Sequence, residues 1–431
     1  MKEHRGLSAD KPVECHTQVI GLGVAGLGLA MAADKQGRLD ELLNKGLTFI
    51  DKRAPDQWHS LQYDIASNSG AADFLEGIRR DGMAAELLAS PLGEKILASQ
   101  DGLINLQVVA SFFEQLARQL ADEVSGYSQS GIIHGQTVSE LRLEKDGSVS
   151  SLNPARQVLA RSRQAVIASG GQEQLLQPLQ QLADQAEAEL WCSEAILRGA
   201  KNTVLGERIA AGKRIVVVGG AHSAFSVLDY LLRYFGDALG EQQLMLFVRG
   251  PVRLYHRSVD DCRQLSPLAD VSRLDRASGE VNRYSGLRGD ARQVYMDVIA
   301  GREPRVSIVT GDDVTAEHVA ESGCVIQATG YRSRSPVITD AGGNIVSVAH
   351  HHGNLKLTDT FNLQAAEGEP LTALYALGLG CFNATEPHFM ATGEVPVGVN
   401  IYHAQDAQRI FRAIYDAPFS HQRPPSYQYA T

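Results

Sequence analysis

The sequence predicts an α/β protein made of two Rossmann-like nucleotide-binding units, the second inserted into the first. Three observations lead there. The order strand, glycine-rich turn, helix, strand occurs twice, from Gln18 and again from Arg214. An apolar strand running into a small-residue turn also occurs twice, at 164–171 and at 324–331. The length, 431 residues, exceeds what one core usually supports, so two domains are expected.

In the first copy, Gln18-Val-Ile20 is a short apolar strand ending on Gly21-Leu-Gly23-Val24-Ala25-Gly26. Residues 27–34 then read as a helix rich in Ala, Leu and Met, and Leu47-Thr-Phe-Ile50 is a second buried strand closed by Asp51. In the second copy, Ile215-Val-Val-Val218 is the strand and Gly219-Gly220-Ala221-His222-Ser223-Ala224 the turn. Residues 225–234 have helical periodicity, and Leu244-Met-Leu-Phe-Val248 is the next strand. Two such copies are an internal duplication of one unit, not a solenoid repeat. Residues 108–120 and 404–415 read as further helices, and the strand at 373–377 ends in Gly378-Leu-Gly380. Strands before the insertion and after about residue 320 are expected to share one sheet. The first domain is therefore 1–205 with 320–431, and the inserted one 206–319.

Bulk properties narrow the function. A net charge of −10 without a Lys/Arg run excludes nucleic acid and anionic membrane as main partners. Any anionic ligand must be held by local donors. The five cysteines, Cys15, Cys192, Cys262, Cys324 and Cys381, form no C-x-x-C pair, which removes dithiol reductases of similar architecture. His350, His351 and His352 are consecutive and read as a solvated turn rather than a metal site. The first sixteen residues are polar, and no apolar run reaches the roughly 18 residues a bilayer span needs, so a cytoplasmic protein is expected.

The first turn matches G-x-G-x-x-G in its proper context. Gly21 permits the tight turn, Gly23 lets backbone approach a pyrophosphate, and Gly26 lets helix pack on strand. The helix N-terminus, with Val24 and Ala25, is then aimed at phosphate. Asp51 sits where a carboxylate accepts from ribose hydroxyls, with Lys52 beside it. In the second turn Gly219, Gly220, His222 and Ser223 are the binding candidates, but Ala221 takes the middle glycine position and its methyl limits phosphate approach. The strand after it ends in Arg249, with Arg253 and Arg257 close behind. A cation there suits a 2′-phosphate, which favours NADPH over NADH, the alternative being a degenerate unit that binds nothing.

With GLGVAG at 21–26, GGAHSA at 219–224 and ATGYRS at 328–333, the chain resembles flavin-dependent monooxygenases with FAD and NADPH domains. These include the flavin-containing monooxygenases and the siderophore-type N-hydroxylases. Gln57-Trp-His-Ser-Leu-Gln62 also looks like the stretch beside the flavin in N-hydroxylases, which makes His59 and Gln62 flavin neighbours or, equally, loop residues. Departures are the absence of F-x-G-x-x-x-H-x-x-x-[YF] and a region, Phe382 to His388, that does not match the N-hydroxylase pattern. The resemblance implies an FAD-binding domain at 1–205 and 320–431 and an NADPH-binding domain at 206–319.

It further implies that NADPH reduces FAD, and that the reduced flavin captures O₂ as a hydroperoxide and oxidises a small molecule, at an amine nitrogen for instance. Such chemistry needs no catalytic triad, so no catalytic residue is named. Thr329, Gly330 and Tyr331 are expected at the turn where both domains and cofactors meet, or else to form a plain crossover turn. His388 reads as an ordinary loop histidine, and the polar stretch 255–292 as a substrate-facing excursion or a solvated loop. A flavin dehydrogenase or oxidase without nicotinamide is the second reading, and a non-catalytic flavin-binding protein the third. Homo-oligomerisation stays open.

Overall fold

The computed structural model describes residues 11–55, 57, 63–99, 102–265, 270–383, 385–399 and 401–416. Along the chain, β1 (Val13–Ile20) leads through α1 (Val24–Lys35) to β2 (Leu47–Asp51), and α2 (Leu106–Val124) precedes β3 (Gly131–His134) and β4 (Val158–Ile167). The second unit runs β5 (Glu189–Cys192), β6 (Arg214–Val218), α3 (His222–Phe235), β7 (Leu244–Val248), α4 (Gly289–Ile299), β8 (Val306–Thr310) and β9 (Ser322–Gln327). The chain returns through β10 (Pro370–Ala376), α5 (Pro387–Thr392) and α6 (Ala407–Tyr415).

Two parallel sheets result. The first has β3, β2, β1, β4 and β10 side by side, extended beyond them by shorter strands. The second, five-stranded, has the order β5, β9, β6, β7, β8. Both faces of the sheets are covered: all five residues of β2 and of β7 are buried. Helix α1 is buried almost all round for a similar reason, lying between its sheet and the C-terminal helices. Its Gly28 gives the room: a Cβ there would sit 3.2 Å from the Ala407 methyl.

Sheet membership corrects one expectation. β9, together with β5, belongs to the second sheet, so the inserted unit reaches beyond 206–319 on both sides. The chain crosses between units at 171–172 and 332–333, where Gly171 and Ser333 pair in a short antiparallel ribbon. Arg334 donates its amide to the Gly170 carbonyl at 3.0 Å beside it.

The first unit also reaches into the second. The pair of strands Ala66–Gly70 and Leu103–Asn105 lies against α3 and α4, and Ile65 is part of the second unit's core. Asp64 accepts from Tyr234 Oη at 2.5 Å, and its carbonyl accepts from Arg233 at 2.7 Å. His350–His351 pairs as a strand with Asn354 and Leu355, His352 forms the exposed turn between them, and His351 stacks on Phe382 at 4.4 Å. Among the described residues no helix is long and apolar enough to cross a membrane.

Candidate functional site

The two glycine turns occupy equivalent places. In each sheet the central strand carries the turn, and strand order reverses beside it, the point where open α/β sheets bind ligands. Gly21 donates to the Ile50 carbonyl at 2.8 Å, and Gly219 to that of Phe247 at 3.0 Å. On the other flank Ala168 donates to Ile20 at 2.9 Å, and Ala328 to Val218 at 2.8 Å. The glycines are sterically required. A Cβ on Gly21, whose φ is +102°, would lie 2.6 Å from the Ala168 oxygen, and one on Gly219 would lie 2.3 Å from the Ala328 oxygen. Gly26 is tighter still, 2.0 Å from the Gly21 oxygen.

At the first turn, Gly23 is the N-cap of α1 in extended conformation, and no side chain caps the helix. The first-turn amides of Val24, Ala25 and Gly26 are therefore presented to whatever binds there. Gly378, at the end of β10, closes the far side; its added Cβ would stand 2.7 Å from that of Ala25. Asp51 is buried, and all four lone-pair positions of its carboxylate are used. Oδ2 accepts from Leu22 N at 2.6 Å and Arg53 Nη2 at 2.7 Å. Oδ1 accepts from Arg53 N at 2.8 Å and Arg53 Nε at 2.9 Å. Burial pushes this carboxyl up, but Arg53 and the Leu22 amide together outweigh it and hold it below its ordinary value. Lys52 is exposed beside it; burial of part of its length and the nearby Arg334 and Arg53 guanidinium groups lower its ammonium. His59 and Gln62 lie outside the described residues.

The second turn opens into a cleft of about 520 Å³. Gly219, Gly220, Ser223, Arg249, Thr329 and Gly330 all line it. Gly220 is not sterically demanded, since its nearest neighbour for a Cβ is the Val248 side chain at 3.5 Å. Ala221 is the N-cap of α3, and again no side chain caps that helix.

His222 is a correction: its ring is directed away from the cleft, toward Ile65, Ala66, Ser67 and Arg288. Successive helical residues point about 100° apart, so when Ser223 faces the cleft its neighbour cannot. Burial, and then Arg288, lower the ring to about 4, and its Nδ1 is buried without a hydrogen-bond partner. Tyr331 also leaves the cleft and shares a hydrogen bond with Tyr63; burial raises its phenol.

Sequence reasoning missed several features of this region. One wall is apolar, with Leu176, Leu179, Leu182 and Phe247, and Ser285 of the polar excursion reaches the rim. His388, read as a loop residue, is nearly buried between Asp275 at 3.3 Å and Glu394 at 3.1 Å. No local pattern signals that triad, because its members come from segments more than a hundred residues apart.

No protein-family model matches the sequence. The CMP-5′-(3-aminopropyl)phosphonate hydroxylase of Streptomyces rubellomurinus is 26% identical over 393 residues, covering 86% of this chain and 90% of that protein. Among solved structures, ornithine hydroxylase from Pseudomonas aeruginosa superposes with a TM-score of 0.58 at 14% identity, covering 94% of this chain and 99% of that one. L-lysine 6-monooxygenase from Pseudomonas syringae gives 0.57 at 17%, covering 93% and 99%. The duplicated turns, the two parallel sheets and these superpositions agree: the chain has the two-unit Rossmann-like α/β fold of the amino-acid hydroxylases.

Proposed function

We propose that this protein is an FAD-dependent monooxygenase that takes its electrons from NADPH and oxygenates a small molecule at an amine nitrogen. One observation carries the reading: two turns in equivalent places of their sheets are followed by strands with opposite ends. The first strand ends in the buried acid Asp51, the second in Arg249 with Arg253 also on the cleft wall. An acid suits a ribose diol and a cation suits a ribose phosphate, so the two cradles select different dinucleotides.

The residues present fit both groups. The uncapped start of α1 offers donors for a pyrophosphate, and Gly23, its N-cap, would let the backbone approach it. For a ribose to reach Asp51, Arg53 must release at least one of its bonds. In the second cleft Arg249 and Arg253 would hold the phosphate, Ser223 and the start of α3 the pyrophosphate, and the apolar wall the base. FAD, when bound, supplies the redox and oxygen-transfer chemistry. The chain's part is to hold both nucleotides at the crossing ribbon and keep water from the space between them. The substrate class is supported by the names of the similar proteins, all of which act on compounds carrying an amine on a short alkyl chain.

The test is anaerobic mixing of the flavin-loaded protein with NADPH, followed by absorbance. The expected result is bleaching of the flavin that recovers only when oxygen is admitted. A second reading, a flavin dehydrogenase or oxidase without nicotinamide, draws on the methyl of Ala221 in the cleft. Flavin that NADPH leaves oxidised, while an amine substrate alone bleaches it, would establish that reading and remove the first.

A further inference from the structure

The Asp275–His388–Glu394 cluster joins the two units. Its local architecture is specific. Pro387 starts α5 at its first turn, and Gly393, at φ +69°, ends it in the left-handed conformation. The reversal brings Glu394 back beside His388, with Thr392 Oγ1 donating to the His388 carbonyl at 2.8 Å and accepting from the Glu394 amide at 3.1 Å. On the other side, Asp275 sits in a tight loop of the second unit. It accepts from Ala277 N at 2.9 Å and from Arg283 at 2.8 Å. Burial pushes the Asp275 carboxyl up, but Arg283, the Ala277 amide, Ser278 and the nearby His388 outweigh this and bring it to about 2.

Glu394, with a side chain 1% exposed, is the centre of the arrangement. Its Oε1 accepts from the Ser285 amide at 3.1 Å and from the Ser285 hydroxyl, and its Oε2 faces His388 Nε2 at 3.1 Å. The nearest guanidinium, on Arg273, is 4.0 Å away. Tyr284 meets the imidazole edge-on at 4.8 Å. His388 Nε2 thus shares a hydrogen bond with Glu394, while Nδ1 lies 3.3 Å from Asp275 without a hydrogen bond.

We infer that His388 is a positioning residue whose hydrogen bond to Glu394 and close approach to Asp275 latch the 273–285 loop of the second unit onto the C-terminal segment of the first, and so fix Ser285 at the rim of the nucleotide cleft. The latch itself is independent of the proposed reaction; its effect on nicotinamide binding rests on that reading. Ser285 reaches the cleft only because its amide and hydroxyl are held from behind by Glu394.

Amide hydrogen exchange of the flavin-loaded protein tests this, compared between the wild type and His388→Gln. A glutamine offers a donor to one carboxylate and a carbonyl to the other. The amides of Tyr284 and Ser285 are expected to exchange about tenfold faster or more, with those of β6 unchanged. The KM for NADPH should rise while kcat changes little. Adding Asp275→Asn supplies a donor for the glutamine carbonyl and should restore most of the lost protection.

Unchanged exchange at Tyr284 and Ser285 in His388→Gln overturns the proposal. So does a double variant no better protected than the single one, or a loss of product with normal exchange and normal flavin reduction, which would make His388 a catalytic residue. If the wild type is not reduced by NADPH, the reaction proposed above fails, and the latch still stands or falls on exchange.

Discussion

Asp51 and Arg53 are two residues apart, and their pairing gives the first cradle a built-in competitor. Arg53 supplies three of the four donors to a carboxylate that ribose hydroxyls would also use. Arg53→Ala is expected to tighten FAD binding by roughly tenfold, since the ligand no longer displaces a charge-assisted pair. The apoprotein should lose on the order of 2 kcal/mol, because Asp51 stays buried without its counter-charge. Titrating apoprotein with FAD and melting it in parallel checks both; weaker FAD binding would refute the competition. At this scale the sequence disclosed residues whose roles follow from backbone sterics, Gly21, Gly26 and Gly219. It did not disclose roles that depend on side-chain direction. His222 and Ser223 are adjacent and equally polar, and only the phase of α3 sends one to the cleft and the other toward Ile65 and Arg288.

The paired turns make a prediction that belongs to the strand–turn–helix element. Gly219→Ala drives a methyl to within 2.3 Å of the Ala328 backbone oxygen, so β6 and β9 must part. A loss of about 3 kcal/mol or more is expected, together with loss of NADPH-dependent flavin reduction. Gly220→Ala meets only a side chain at 3.5 Å and should melt within about 0.5 kcal/mol of the wild type. Any penalty in that variant should appear in the KM for NADPH, because Gly220 lines the cleft. Equal destabilisation by the two substitutions would contradict the geometry. Element identity was largely legible: both βαβ units, α1, α3 and the terminal helix lie where periodicity and turn residues put them. The sheet to which β9 belongs was not. Cys324-Val-Ile is an apolar run that would suit either parallel sheet, and only its partners, Ile215 and Val216, decide the matter.

For the molecule as a whole, three buried titratable groups set the response to pH. His403 lies between α1 and α6, where Lys35 donates to its Nδ1 at 3.1 Å; burial and then Lys35 lower it to about 3. His222 lies between the units, lowered to about 4. Both folded values are below the ordinary 6.5, so the unfolded chain takes up protons that the folded one does not. Their contribution is complete above pH 6.5 and declines as the pH falls, each at about 1.4 kcal/mol per pH unit. Asp406 acts in the opposite sense. Burial, with Glu386 nearby and Arg409 opposing, raises its carboxyl to about 8, so its contribution is complete below the ordinary 3.8 and is lost as the pH rises to 8.

Below pH 6.5 the protons of His403 and His222 outweigh that of Asp406, with His16 and His256, which burial also lowers, acting in the same sense; above it Asp406 dominates. The melting temperature should therefore peak near pH 6.5, flatten on the acid side in His403→Gln, and flatten on the alkaline side in Asp406→Asn. A melting temperature that climbs steadily from pH 5 to 8 in all three proteins would refute this. None of it was legible in the sequence, because the shifts arise where distant segments pack, and a histidine in a list of thirteen carries no sign of its burial.

The crossing ribbon has a consequence for how such a chain is built. The second unit leaves at Gly171 and returns at Ser333, and these two residues are partners in one antiparallel pair. Entry and exit therefore coincide in space, as they would for a domain grafted at a single point of a pre-existing loop. With Gly170 and Arg334 already in backbone contact at 3.0 Å, the first unit could be sutured there with almost no change of path. Two adjacent strands in one strap resist twisting more than bending. The ribbon is not the sole tie: Ile65 packs in the second unit's core and Asp64 bonds Arg233 and Tyr234, so the graft is held at its edge as well as at its root.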